Sequence, residues 1–100
     1  MIKRVSAGGR QKAEALAVQA LSFIATDPER LGHFLAATGI GPGEIRAAAR
    51  EPHFLAGVLD HIAGDEKLLL AFAADANAAP GDIPRARAAL GGRGWERDAP

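Results

Sequence analysis

Asp27-Pro28-Glu29-Arg30-Leu31-Gly32-His33-Phe34 opens a helix, and the pattern it sets recurs twice. An acidic residue is followed by Pro or Glu; Leu stands at the fifth place and Phe or Val at the eighth. The echoes run from Glu51-Pro52 to Leu55 and Val58, and from Asp65-Glu66 to Leu69 and Phe72. The acid caps the first turn, and Pro fits the first helical position, where no backbone donor is needed. Leu followed three places on by Phe or Val begins an inward apolar stripe. Repeated starts of this kind specify a compact set of short helices. They carry no chemistry.

Working outward, Asp27-Pro28 also ends the helix before it, because the residue preceding Pro avoids helical geometry. That first helix is predicted over about 10–25. Leu16, Ala17, Ala20, Leu21, Phe23 and Ile24 fill an arc of roughly 160° on its wheel, which suits a central helix with several neighbours. Val18 falls among the polar residues. The second helix ends at Gly39, a natural left-handed stop. Gly41-Pro42 opens a short third helix, and the fourth carries the stripe Phe54, Leu55, Val58, Leu59 and Ile62. Gly64 ends the fourth, Asp65 caps the fifth, Asn77 stops it, and Pro80 opens a sixth that ends near Leu90.

No segment alternates apolar and polar residues over strand length, so no sheet is expected. The fold class is all-α: an irregular bundle of five to six short helices. The expected core is Leu16, Leu21, Ile24, Leu31, Phe34, Leu55, Leu59, Ile62, Leu69 and Phe72. The chain divides into a flexible basic arm over 1–9, one helical domain over 10–91, and a tail over 92–100 that carries Trp95.

A chain of 100 residues with 48% apolar and 24% charged residues suits a single globular domain. Twenty-three alanines tilt it toward helix. There is no Cys, which removes disulfides and thiolate chemistry, and no Tyr. The net charge of zero is unevenly spread: +4 over residues 1–12, −6 over 13–84 and +2 over 85–100. The basic ends complement an acidic body, or else form an arm for an anionic partner. Met1 to Gly9 lacks the apolar run of a secretory signal, and no stretch reaches the ~18 apolar residues of a membrane span. The expected location is cytoplasmic, without membrane contact.

Residues 27–48 align without gaps on 65–86. Asp27/Asp65, Leu31/Leu69, Phe34/Phe72, Ala36/Ala74, Pro42/Pro80, Gly43/Gly81, Ile45/Ile83 and Ala48/Ala86 are identical pairs. Caps and apolar periodicity use few residue types, so convergence accounts for much of this. A duplicated helix-turn-helix unit accounts for all of it, including the Pro-Gly-acid-Ile match that capping does not require.

From about Lys12 to Leu90 the chain resembles a family of small alphaproteobacterial proteins known as domain of unknown function 3572. The resemblance rests on Ala13-Glu14-Ala15-Leu16-Ala17, Asp27 through Leu31 with Phe34-Leu35, Phe54-Leu55 with Val58-Leu59-Asp60, and Asp65-Glu66 with Leu70-Ala71-Phe72. It implies an all-helical bacterial protein, and it brings no catalytic or binding residues with it.

Candidate chemistry is sparse. Gly39-Ile40-Gly41-Pro42 looks like the turn of helix-hairpin-helix DNA-binding modules, where amides at a helix start grip phosphate. Gly39, Gly41 and Arg46 are its candidate phosphate contacts. Glu44 at the third helical place opposes phosphate, and the second hairpin, Asn77-Ala78-Ala79-Pro80, lacks the glycine pair.

A helical metal site wants ligands three or four apart on one face, whereas His53 and His61 are eight apart. His33, four places after Glu29, reads as half of a surface ion pair. Asp60, Asp65 and Glu66 cluster near Gly64, where acids are usually caps. Ser6 and Ser22 have no evident base beside them. No catalytic residue, metal or cofactor is therefore expected.

The misplaced apolar residues point elsewhere. Leu70 faces about 100° from Leu69 and about 160° from Leu68 and Phe72. Leu70 and Val18 are the candidate contacts for a second copy or another protein. The expected role is an interaction or adaptor module without catalysis; a weak nucleic-acid binder using Gly39–Pro42 and the basic termini is the alternative.

Overall fold

A 24-residue helix, α1 (Ile2–Ala25), forms the spine. Ala13, Ala17, Ala20, Leu21 and Ile24 are buried along one of its faces, with Leu16 and Phe23 half-buried at the margins. That spacing is the helical stripe, and its small side chains let neighbouring helices approach closely. The computed structural model describes residues 2–90, with side chains from residue 9 onward. The tail over 92–100, Trp95 included, lies outside the described residues.

α1 starts well before the expected position. Where a flexible lead-in was predicted over 1–9, the backbone from Ile2 is helical. No Pro interrupts it, and each residue added to an existing helix gains a bond without a new nucleus. Gly8 and Gly9 cost only about 1 kcal/mol each against Ala, which is not enough to end it.

The acidic starts separate on inspection. Asp27 is extended, and its Oδ1 accepts from the Glu29 amide at 2.9 Å, opening α2 (Pro28–Thr38). Asp65 accepts from the Lys67 and Leu68 amides at 3.1 and 3.3 Å, opening α5 (Glu66–Asp75). Glu51 precedes α4 (Pro52–Ala63) but makes no side-chain cap bond. Its extra methylene places the carboxylate poorly for a cap, whereas Pro52 still sets the first turn. Between α2 and α4 the chain forms a 3₁₀ turn over Pro42–Glu44 and a single α-turn, α3 (Ile45–Ala48). α6 (Asp82–Ala89) follows a Pro80-Gly81 turn. Pro84 is harmless at its third position, because first-turn amides lack an intrahelical acceptor.

α4 and α6 both pack on α1 and on each other; α2 packs on α1, and α5 on α4 and α1. The described residues contain no strand, and the chain is an all-α bundle of short helices around one longer one. Phe34, Phe72, Ile24, Leu59, Ile62, Ile83 and Val58 are fully enclosed. Of the expected core, Leu21, Ile24, Phe34, Leu55, Leu59, Ile62 and Phe72 are buried. Leu16, Leu31 and Leu69 sit half-buried at its edge.

The two similar segments share four local devices. Asp27 and Asp65 both cap. Phe34 and Phe72 are both fully buried. The left-handed residue falls at equivalent places, Gly39 with φ 76° and Asn77 with φ 57°. Finally, Glu44 takes the Gly41 amide at 3.3 Å as Asp82 takes the Ala79 amide at 3.0 Å. The units then diverge. Ile83 and Ala86 of α6 are buried against the spine, whereas Ile45 of α3 is only partly buried, and α3 ends at Ala48 where α6 runs on.

Candidate protein-contact site

Val18 and Leu70 are the large apolar side chains that the described residues leave in solvent, 45% and 50% exposed. α1 presents Val18 because its inward stripe runs through Ala17, Ala20, Leu21 and Ile24, and one residue past Ala17 turns the side chain about 100° outward. α5 presents Leu70 because Phe72 and Ala73 hold the opposite face in the core.

Val18 borders an open groove of ≈ 540 Å³ whose walls include Ser22, Phe23, Arg30, Asp75 and Ala76. Phe23 forms its floor, with its ring 5.5 Å from that of Phe72. The Arg30 guanidinium lies 4.1 Å over the Phe23 ring, a cation–π contact, and 3.8 Å from Asp27. The groove thus offers an apolar floor between a cation on α2 and a carboxylate on α5. Leu70 is not among its lining residues, so the two candidate contacts do not meet in one groove.

The hairpin proposed for phosphate is already satisfied internally. The Gly39 amide donates to the Leu35 carbonyl at 2.8 Å, the Ile40 amide to Thr38 Oγ1 at 3.3 Å and the Gly41 amide to Glu44 Oε1 at 3.3 Å. Glu44 therefore puts a carboxylate on the donor a phosphate would need. Arg46 is exposed on α3.

The carboxylates near Gly64 also have structural work. Asp60 forms a two-pronged pair with Arg87, at 2.6 and 2.9 Å, tying α4 to α6. Asp65 is the α5 cap. Among the described residues no group of three or more His, Cys, Asp or Glu is placed to hold a metal ion. Glu29 and His33 form no ion pair there.

His61 leans on the core. Its ring meets that of Phe34 edge-on at 5.2 Å, and Phe34 meets Phe54 edge-on at 5.9 Å. Burial pushes the His61 imidazole below its ordinary value of 6.5; the Asp65 carboxylate opposes that shift and the charge of His33 adds to it. The pKa is lowered, so the ring is neutral and harmless above pH 6.5. As pH falls below 6.5 the unfolded chain takes up the proton first and stability declines.

A family model described as protein of unknown function (DUF3572) matches residues 10–93. The chain belongs to that family. The match takes in α1 from Arg10 through the whole of α6, hence every contact described for the site. No curated protein and no solved structure matches the chain. Among the described residues no helix is long and apolar enough to cross a membrane.

Proposed function

We propose that this member of the family is a small cytoplasmic protein-interaction module without catalysis of its own. It contacts a second copy or another protein through α1 at Val18 and α5 at Leu70. The observation that carries this reading is the exposure of those two side chains while the remaining large apolar residues turn inward. Covering them removes apolar surface from water at about 25 cal/mol per Å². The Arg30 and Asp75 walls of the Val18 groove add a polar rim.

The double variant Val18→Glu/Leu70→Glu tests it. Both positions are half in water, so the charges cost the fold little, within about 0.5 kcal/mol each. Helical circular dichroism and melting temperature should stay close to those of the parent. Self-association by light scattering, or recovery of a partner from the native host, should be lost. An assembly state and a set of recovered proteins identical to the parent's would reduce both residues to scattered surface hydrophobics.

Nucleic acid is not the partner in this reading. The Gly41 amide is occupied by Glu44, and residues 13–84 carry −6. A gel shift with duplex DNA at physiological salt should show no nanomolar, sequence-dependent complex. Such a complex, lost on deleting residues 1–12, would revive the hairpin and basic termini as the binding elements.

A further inference from the structure

The Val18 groove carries two charges, and each stands at the helix end that repels it. Arg30 is the third residue of α2, in the first turn, where unpaired amides make the positive end of the helix dipole. Asp75 is the last residue of α5, where unpaired carbonyls make the negative end. Arg30 finds relief within the chain, from Asp27 at 3.8 Å and from the Phe23 ring beneath it. Asp75 has no ion pair among the described residues. The two line one groove from α2 and α5 without pairing with each other.

We propose that the occupant of this groove is a second copy of the chain, seated about a two-fold axis that runs along the floor between Arg30 and Asp75. The inference rests on the reading of Val18 as a contact and names its partner. In a two-fold dimer one patch meets itself, so the patch must be its own complement. This one has the required pattern: a cation, an apolar floor and an acid. The axis sets each Arg30 opposite the other copy's Asp75. Both misplaced charges are then answered at once, a cation at the end of α5 and an acid at the start of α2. Between them the Phe23 floor and the Val18 side chain of each copy leave water. A uniformly acidic or basic partner would answer one of these charges and repel the other.

The contact is small. Eight residues line the groove, against roughly 20–30 a side in a standard stable interface. The dimer is therefore weak, and its population depends on concentration.

Charge reversal tests the pairing. Sedimentation of the full-length protein, from micromolar to millimolar, should show a dimer that grows with concentration. Arg30→Glu leaves each groove with two acids, and Asp75→Arg leaves it with two cations. Each reversal acts at both contacts of the dimer, so each variant alone should self-associate at least about tenfold more weakly. Mixed in equal amounts, the two variants should form a one-to-one pair near the parent's affinity, because the acids of one face the cations of the other. The mixed pair forms only if both variants are folded, so its recovery separates lost pairing from lost structure. Asp75 is exposed, and a cation there suits the end of α5. Asp75→Arg therefore carries the test alone where Arg30→Glu does not fold: self-association as strong as the parent's would overturn the proposal.

A parent that stays monomeric throughout would also overturn it, as would a mixture of folded variants no more dimeric than its components. The first outcome leaves the interaction reading standing where a different protein is recovered from the native host and is lost on Val18→Glu/Leu70→Glu. The second leaves it standing where that double variant still abolishes the parent's dimer.

Discussion

Leu59→Ala is expected to destabilise the domain by about 2–5 kcal/mol, the range for emptying a leucine site in a packed core. Leu59 has no exposed surface and sits on α4, whose Leu55, Ala56, Val58 and Ile62 are buried with it. α4 packs on α1, α5 and α6, so a cavity there borders three elements. Domains of this size hold only about 5–15 kcal/mol in total, and each kcal/mol shifts the melting temperature by about 4–8 °C. A drop of about 8 °C or more in a thermal melt is the expected reading. A melting temperature within a degree of the parent's would place Leu59 outside the core.

How much of this fold is legible in sequence depends on whether a feature is local. Asp27 and Asp65 declare their helix starts because a cap is a bond to an amide two or three residues away. Gly39 declares its stop because a left-handed residue is a property of one backbone position. Asn77 is the same device with a short polar side chain.

The alanines are harder. Ala13 is buried and Ala15 exposed on the same helix, and only the arrival of α4 and α6 decides which face matters. The burial of Ile83 and Leu90 is similarly tertiary, since α6 has a weak stripe of its own and is fixed by docking. The Asp60–Arg87 pair spans 27 residues and has no sequence signal. At the site, a wheel suffices to show that Val18 and Leu70 leave the stripe. The neighbours of Val18, Arg30 from α2 and Asp75 from α5, come together only in three dimensions. So does the open groove between α1 and α6, lined by Lys12, Ala13 and Leu16 on one side and by Asp82, Arg85 and Ala89 on the other.

Phe34→Ala is the second large effect, and it carries a readout that a simple loss of stability would not move. Phe34 is fully buried and holds two rings edge-on, Phe54 at 5.9 Å and His61 at 5.2 Å. Truncating it should cost about 3–5 kcal/mol. The same ring is part of what keeps water from the His61 imidazole, and burial is the leading cause of that group's lowered pKa. Opening the pocket admits water, so His61 should titrate closer to 6.5 in the variant, followed by NMR of its ring protons. The parent loses stability as pH falls below 6.5, because its folded state resists the proton that the unfolded state accepts. The variant should lose less over the same interval. Where Phe34→Ala leaves too little folded protein, Phe34→Leu keeps the site apolar while removing the ring edge, and should shift His61 in the same direction by less. His61 titrating identically in the parent and both variants would show that Phe34 does not shield it, and that the ring contact packs the core without setting the histidine's charge.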